Sequence, residues 1–396
     1  MATVKLAEGV YWVGVIDWNI RNFHGYSTHL GTTYNAYLVI DDKVALVDTV
    51  KSPFYGEMMA RVKELVSPAD IDYVISNHVE MDHSGSLPMV MQEATKAKLV
   101  TLERFGESGL KKTFHSDWPL MPVKEGSELD LGKRKLVFVP TPMLHWPDSM
   151  CTYLVGDRIL FSMDAFGQHL ATSMRFDDEV GLDVIMPEAA KYYANILMPF
   201  GDLIVKAADK LGGLKIDMIA PSHGIIWRSH MDTIVGAYTS WGKGETEDKA
   251  VIVYDTMWGS TEKMAHALAE GALSQGVEVK LYNLTKSDQS DIIKEVLDAR
   301  AILLGSPTLN NGMFPTVAGF LCYLKGLKPK GRLGAAFGSH GWAGGAVKAV
   351  EQELGQAGIE VIDSGLAFKF VPDKDELEKC VEFGREVARK VHIAAG

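Results

Sequence analysis

The sequence predicts an α/β chain made of two unlike parts, on three observations. Through residue 248, short apolar runs of strand type are mixed with helical stretches. From 249 to 396, strand-like runs alternate with helical segments, which implies a parallel, doubly wound sheet. Between the two parts, Trp241 to Lys249 is polar, charged and glycine-containing, and reads as a linker.

The elements follow from local pattern. Val10 to Val15, Thr33 to Ile40 and Val44 to Asp48 read as strands, and 54–66 as a helix. The run Ile71 to Ser76 is a further strand, as are 136–139, 158–161 and 217–220. One long helical region is expected over 184–212. In the second part, strands at 250–254, 301–305 and 333–337 alternate with helices at 261–275, 288–298, 343–355 and 374–391. There is no internal repeat and no low-complexity tract.

Composition removes several function classes. A chain of 396 residues with 47% hydrophobic side chains is expected to fold as two or three globular domains with sizeable cores. No run of 18 apolar residues is present, so no membrane-spanning helix is expected. Met1 to Leu6 carries no basic segment followed by an apolar stretch, so no signal peptide is expected. Cys151, Cys322 and Cys380 lie far apart. That spacing argues against a disulfide framework or a Cys-x-x-Cys metal site and fits a reducing cytoplasm. Residues 249–396 carry 17 basic and 18 acidic side chains, so nearly all of the net charge of −11 lies in the first part. An acidic chain with no basic stripe is a poor partner for nucleic acid.

The densest chemistry is His78-Val79-Glu80-Met81-Asp82-His83, which opens directly after the strand Ile71 to Ser76. On an extended backbone, residues two apart project to one side, so His78 and Glu80 can converge on one ion. Asp82 and His83, a turn further on, can serve a second ion beside it. Six residues cannot close two sites, so partners must come from other strand ends. His145, Asp164 and His223 are each the first metal-capable residue past an apolar run. His169 is open between supporting the ligands and a plain structural role. His24 is a candidate for the pocket lining, and Trp146 for a side chain that keeps the site dry.

A second constellation lies in the second part. The loop Asp255-Thr256-Met257-Trp258-Gly259-Ser260-Thr261 runs from a strand into a helix and is rich in hydroxyls. Such a loop presents backbone N–H groups and a helix N-terminus to a phosphate. It has no lysine, so it is not a Walker A loop. Gly305-Ser306-Pro307-Thr308-Leu309-Asn310-Asn311-Gly312 and Phe337-Gly338-Ser339-His340-Gly341-Trp342 follow the next two strands. All three loops lie at carboxyl ends of strands, the ligand edge of an open α/β sheet.

The first constellation resembles the metallo-β-lactamase fold over about residues 30–230, whose signature is His-x-His-x-Asp-His with later His, Asp and His ligands. One departure matters: Glu80 stands where that pattern has its second histidine. Carboxylate oxygen is harder than imidazole nitrogen and moves the preference from zinc towards iron or manganese. The three later loops resemble those of flavodoxin over about 250–396, where they hold the phosphate and two sides of the ring of FMN. Together the halves resemble one family, the flavodiiron proteins or A-type flavoproteins, in their short form.

That resemblance implies an αββα sandwich over 1–248 followed by a flavodoxin-like doubly wound sheet over 249–396. It implies two non-haem irons, one on His78, Glu80 and His145, the other on Asp82, His83 and His223, with Asp164 bridging. It also implies reduction of dioxygen to water or of nitric oxide to nitrous oxide, with electrons passed through FMN from an external donor such as rubredoxin or a reduced deazaflavin. A head-to-tail homodimer or a dimer of dimers follows from the resemblance alone. Two other readings remain open at this point: a binuclear zinc hydrolase fused to a flavodoxin, and an electron carrier with a vestigial metal domain.

Overall fold

The computed structural model describes residues 3–393. The chain divides into two compact units. The first takes in the N-terminal segment through His24, Thr28–Tyr192 and Asp202–Thr239. The second takes in Gly25–Ser27, Tyr193–Gly201 and everything from Ser240.

Among the described residues the first unit holds two large sheets and a small ribbon, in which Val15–Asp17 pairs with Thr32–Tyr34. One has seven strands in the order Val4–Ala7, Val10–Trp12, Tyr37–Ile40, Val44–Val47, Ile71–Ser76, Lys98–Leu102, Leu120–Val123. The other has five, in the order Glu128–Asp130, Lys135–Pro140, Met150–Leu154, Ile159–Met163, Met218–Pro221. Alternation along the strands decides the layering. Val39, Val47 and Ile75 share one apolar cluster with Phe138, Met150 and Phe161 of the other sheet. Their chain neighbours Leu38, Leu46 and Val74 point the opposite way and pack with Met58, Met59, Val62, Val90 and Leu110 of helices. The outer face of the five-stranded sheet offers Val139, Cys151, Tyr153 and Leu160, which pack with Leu211 of the helix Gly201–Leu211. The result is the expected αββα sandwich.

The second unit is a parallel sheet in the order Glu278–Asn283, Glu247–Tyr254, Ala299–Gly305, Leu333–His340, Glu360–Val361, with Leu366–Lys369 also paired to Leu333–His340. The chain leaves its first strand for one edge and returns to build the other, so the direction of winding reverses beside Glu247–Tyr254. Ile252, Leu303 and Ala335 pack on Met264, Leu268, Phe383 and Val387 of the helices Ser260–Leu273 and Lys374–Ile393. Val251, Val253, Ile302 and Leu304 at the alternate positions are also buried, as a sheet covered on both faces requires.

Three local expectations are corrected. The helix read over 184–212 is broken: Leu182–Tyr192 gives way to a wide π turn at Tyr193–Leu197, a 3-10 turn at Met198–Phe200 and a new helix, Gly201–Leu211. Pro199 and Gly201 sit at that break, where proline lacks an N–H and glycine favours no single conformation. The strand read over 33–40 is two strands, Thr32–Tyr34 and Tyr37–Ile40, in different sheets. The linker is shorter than its composition suggests, since the helix Met231–Lys243 and the strand Glu247–Tyr254 leave only residues 244–246 between them.

Candidate functional site

Four strand ends of the sandwich supply the seven candidate ligands. After Ile71–Ser76 the chain leaves the sheet through a non-helical segment, Asn77 to Glu80, with bends at its two ends, and a single helical turn at Met81–Ser84 follows. His78 and Glu80 point one way, while Asp82 and His83 are carried round by the turn. His145 sits in the loop between Lys135–Pro140 and Met150–Leu154, after a cis Leu144–His145 peptide. Asp164 follows Ile159–Met163, whose last residue has a left-handed backbone with φ +59°. His223 follows Met218–Pro221. The next residue, Gly224, has φ +79°, and a Cβ there would lie 2.2 Å from Gln168 Oε1, so only glycine fits that turn.

The seven side chains form two adjacent groups, His78, Glu80, His145 and Asp164 in one, and Asp82, His83 and His223 in the other. Asp164 faces both. Its Oδ2 is 3.3 Å from His145 Nε2 and 3.9 Å from His78 Nε2, and its Oδ1 is 3.1 Å from His83 Nε2 and 3.5 Å from His223 Nε2. Glu80 Oε2 lies 3.3 Å from His78 Nε2 and 3.2 Å from His145 Nε2, and Asp82 Oδ2 lies 3.1 Å from His223 Nε2. Asp82 Oδ1, His83 Nε2 and Asp164 Oδ2 are buried without a hydrogen-bond partner. Stranded buried polar atoms are costly, and donor atoms about 3 Å apart are the edges of a shell whose ligands sit about 2.0–2.2 Å from a cation. The residues present fit a pair of metal ions.

The imidazoles are aimed by other groups. His78 Nδ1 lies 2.9 Å from Asp148 Oδ2, which also accepts the Val79 N–H at 2.7 Å. His223 donates Nδ1–H to the Thr33 carbonyl at 2.8 Å. Each contact turns Nε2 towards the centre. The segment that starts the motif is pinned by Asp48, whose carboxylate accepts the Asn77 backbone N–H and side-chain amide, both at 2.8 Å. Tyr192 donates its hydroxyl to Asp164 Oδ1 at 3.0 Å, and burial together with the neighbouring Asp164 keeps the phenol protonated.

Without metal, protons hold the same cluster together. Burial pulls His78, His145 and His223 down, but the surrounding carboxylates outweigh it and lift them to about 10, about 9 and about 10. Glu80 is raised by burial yet held at about 2 by His145 and His78. The imidazolium pairs therefore stabilise the metal-free fold below the unfolded histidine value of 6.5, and that contribution is lost as pH rises through about 9 to 10. The Glu80 contribution is present above 4.5 and lost as pH falls through about 2. The thermal midpoint of metal-free protein is expected to be highest between about pH 4.5 and 6.5 and to fall towards pH 10. Differential scanning fluorimetry across that range, with and without metal, checks this, because ions that replace protons flatten the alkaline limb.

Several site residues lay beyond the sequence reading. Asp148, only three residues past His145, is an acidic group that a search for imidazole partners could have found. Asp48 and Tyr192 carry no local signal. His169 enters neither ligand group; its Nδ1 is 2.8 Å from Thr32 Oγ1, and its ring packs 5.1 Å from that of His223. His24 is exposed and stands edge-on to Phe23. Trp146 is half exposed, with its ring edge-on to His78 at 5.0 Å. Replacing Asp148 by alanine is expected to lower metal affinity about 10–100-fold with little change in fold, since one imidazole loses its orienting partner. Metal competition against a chelator measures it.

In the second unit the three loops surround a cavity of about 670 Å³. Met257, Trp258, Ser260, Pro307, Thr308, Leu309, Asn310, Asn311, Ser339, His340, Gly341 and Trp342 line it. Ala343, Phe370 and Val371, which the sequence reading passed over, line it too. Thr256, Gly259, Thr261 and Ser306, expected to bind the cofactor, do not line it and instead hold the loops by hydrogen bonds. Thr256 Oγ1 accepts the Gly259 N–H at 3.1 Å, and Ser306 Oγ accepts the Phe314 N–H at 2.9 Å. Thr261 Oγ1 is 3.5 Å from Ser339 Oγ. The helix Ser260–Leu273 starts without a side-chain cap, which leaves its first N–H groups for an anion. Trp258 and Trp342 are 87% and 93% exposed on the rim, so flat apolar surface stands ready for a planar ring. These features fit FMN, phosphate at the helix start and ring between the aromatics.

Comparison with known proteins agrees with both halves. The model of the ODP family β-lactamase matches residues 32–224, and that of flavodoxin matches 252–384. The chain is 51% identical over 393 residues to a protein of Moorella thermoacetica named nitric oxide reductase, covering 98% of each. It superimposes on rubredoxin oxygen:oxidoreductase from the anaerobe Desulfovibrio gigas with a TM-score of 0.97 and 39% identity, over 99% of each chain. The flavodiiron protein of Giardia intestinalis gives a TM-score of 0.98 and 37% identity, over 100% of this chain and 98% of that one. Among the described residues no helix is long and apolar enough to cross a membrane. With a sandwich that gathers two histidine–carboxylate groups, a flavodoxin sheet following it in the sequence and such relatives along nearly its full length, the chain belongs to the flavodiiron protein family of oxidoreductases.

Proposed function

We propose that this chain reduces dioxygen to water, nitric oxide to nitrous oxide, or both, at two iron ions, with electrons delivered through FMN from an external donor such as rubredoxin. The observation that carries this reading is Asp164, whose two oxygens each face a different histidine–carboxylate group. In it one ion takes His78, Glu80 and His145, the other Asp82, His83 and His223, and Asp164 bridges. Each group offers hard carboxylate oxygen beside imidazole, which favours iron over zinc. When bound, two irons and one flavin together supply the four electrons that dioxygen requires.

The protein's own residues hold and shield that chemistry. Glu80 and His145 keep 20% and 18% of their side chains exposed, whereas Asp82, His83 and His223 keep 5% or less. Substrate therefore enters on the Glu80 and His145 side, and the other position is sealed. Trp146 stands edge-on to His78 at 5.0 Å. The names of the Moorella and Desulfovibrio relatives support both gases and a rubredoxin donor. We assign electron transfer to a head-to-tail homodimer or a dimer of dimers, and the protein to the cytoplasm, where its three free cysteines stay reduced.

Anaerobic stopped-flow of the reduced protein against each gas, with iron and flavin measured beforehand, tests the reading. Rapid oxidation of iron and flavin together by at least one gas is expected. Zinc in place of iron, or no reaction with either gas, would overturn it.

A further inference from the structure

We propose that Tyr192 makes the two metal positions electronically unequal, by hydrogen-bonding one oxygen of the carboxylate they share. The inference rests on the diiron reading above. The two positions carry the same ligand types, with the Asp148 carboxylate behind His78 on one side and the Thr33 carbonyl behind His223 on the other. His78, His145 and Glu80 on one side match His83, His223 and Asp82 on the other, two imidazoles and one carboxylate each. Asp164 is common to both, yet its oxygens differ. Oδ1, which faces His83 and His223, accepts the Tyr192 hydroxyl at 3.0 Å. Oδ2, which faces His145 and His78, is buried with no hydrogen-bond donor. The phenol is held in place at the end of the helix Leu182–Tyr192, with its ring edge-on to His169 at 5.0 Å.

An oxygen that shares its charge with a hydroxyl donates less to a metal. Oδ1 is the weaker donor, so an iron held by Asp82, His83 and His223 would be less well stabilised in its oxidised form and would have the higher potential. With iron bound, the first electron of a reductive titration would therefore be expected at that position, and the second at the position held by His78, Glu80 and His145. Tyr192 is thus a positioning residue that acts through Asp164 and does not touch substrate.

The test is an anaerobic potentiometric titration of the holoprotein with dithionite, followed by EPR and by Mössbauer spectroscopy after loading with enriched iron. In Tyr192→Phe the gap between the two one-electron steps is expected to narrow. The constant favouring the half-reduced pair should fall about tenfold, the scale of one hydrogen bond to a charged group; that is about 59 mV for a one-electron couple. An unchanged gap at full iron content would overturn the proposal, whatever happens to turnover. If that variant fails to fold or to hold iron, 3-fluorotyrosine placed at 192 keeps the shape and makes the phenol a stronger donor. The gap should then widen, and an unchanged or narrower gap would overturn the proposal. Wild-type protein that binds zinc and no iron would instead sink the functional reading itself, before any variant is compared.

Discussion

Replacing Asp164 by alanine is expected to leave a protein that still binds and reduces its flavin but no longer consumes either gas. Its two oxygens face histidines of both groups, so its loss affects both metal positions at once. It is also buried among the histidines of both groups. Four imidazole nitrogens then surround a space with one negative charge fewer, and each retained cation is less well neutralised. Iron should fall from two per chain to one or none, and gas consumption by at least about 100-fold, the upper range for loss of a partner that merely orients a ligand. Flavin reduction by the external donor should be unaffected, because the cavity that fits FMN is built from another unit of the chain. Iron analysis and stopped-flow at the flavin absorption band separate these outcomes. Gas consumption at the wild-type rate would remove Asp164 from the centre.

The second large effect is expected from Gly338→Ala. Gly338 lies in the strand Leu333–His340, directly beside the loop that begins at Ser306. A Cβ there would stand 1.9 Å from the Ser306 carbonyl oxygen, which is backbone and cannot swing aside. The two segments are also tied together, Ser306 N–H to Phe337 carbonyl at 3.0 Å and Thr308 N–H to Ser339 carbonyl at 2.9 Å. The methyl group can be housed only by breaking those bonds and parting the loops that line the cavity. A cost of about 2–3 kcal/mol is expected from overpacking of this kind. Flavin should be lost on dialysis, with a lower thermal midpoint, while iron content is retained. Retention of FMN at wild-type affinity would show that the two loops do not act together in holding it.

How much of this was legible in the sequence depends on the range of the interaction. The β-α alternation after residue 249 announced a doubly wound sheet, because period and apolar run length are local properties of a strand and a helix. The long helix expected over 184–212 failed for a different reason. Its apolar pattern continues through the break, but Pro199 and Gly201 interrupt the backbone, and Tyr193–Leu197 forms a π turn, which the 3.6-residue periodicity does not signal. The flavin loops were readable as loops, whereas Phe370 and Val371 of the cavity lining were not. They follow the strand Leu366–Lys369, which is brought alongside only by pairing with Leu333–His340.

The same division runs through the metal centre. The order of residue types from His78 to His83, and the carboxylate at Glu80, were determined by the sequence alone. They lie within one non-helical segment and one helical turn, where spacing dictates direction. Only the tertiary structure decided that Asp148 aims His78 from 70 positions away, and that Tyr192 reaches Asp164 from 28 positions away. It alone decided that the two oxygens of Asp164 look in different directions. A hydrogen bond is short and directional, so its existence rests on where two packed sheets bring their strand ends together. That placement is set by the apolar cluster between the sheets, in which none of the ligands takes part.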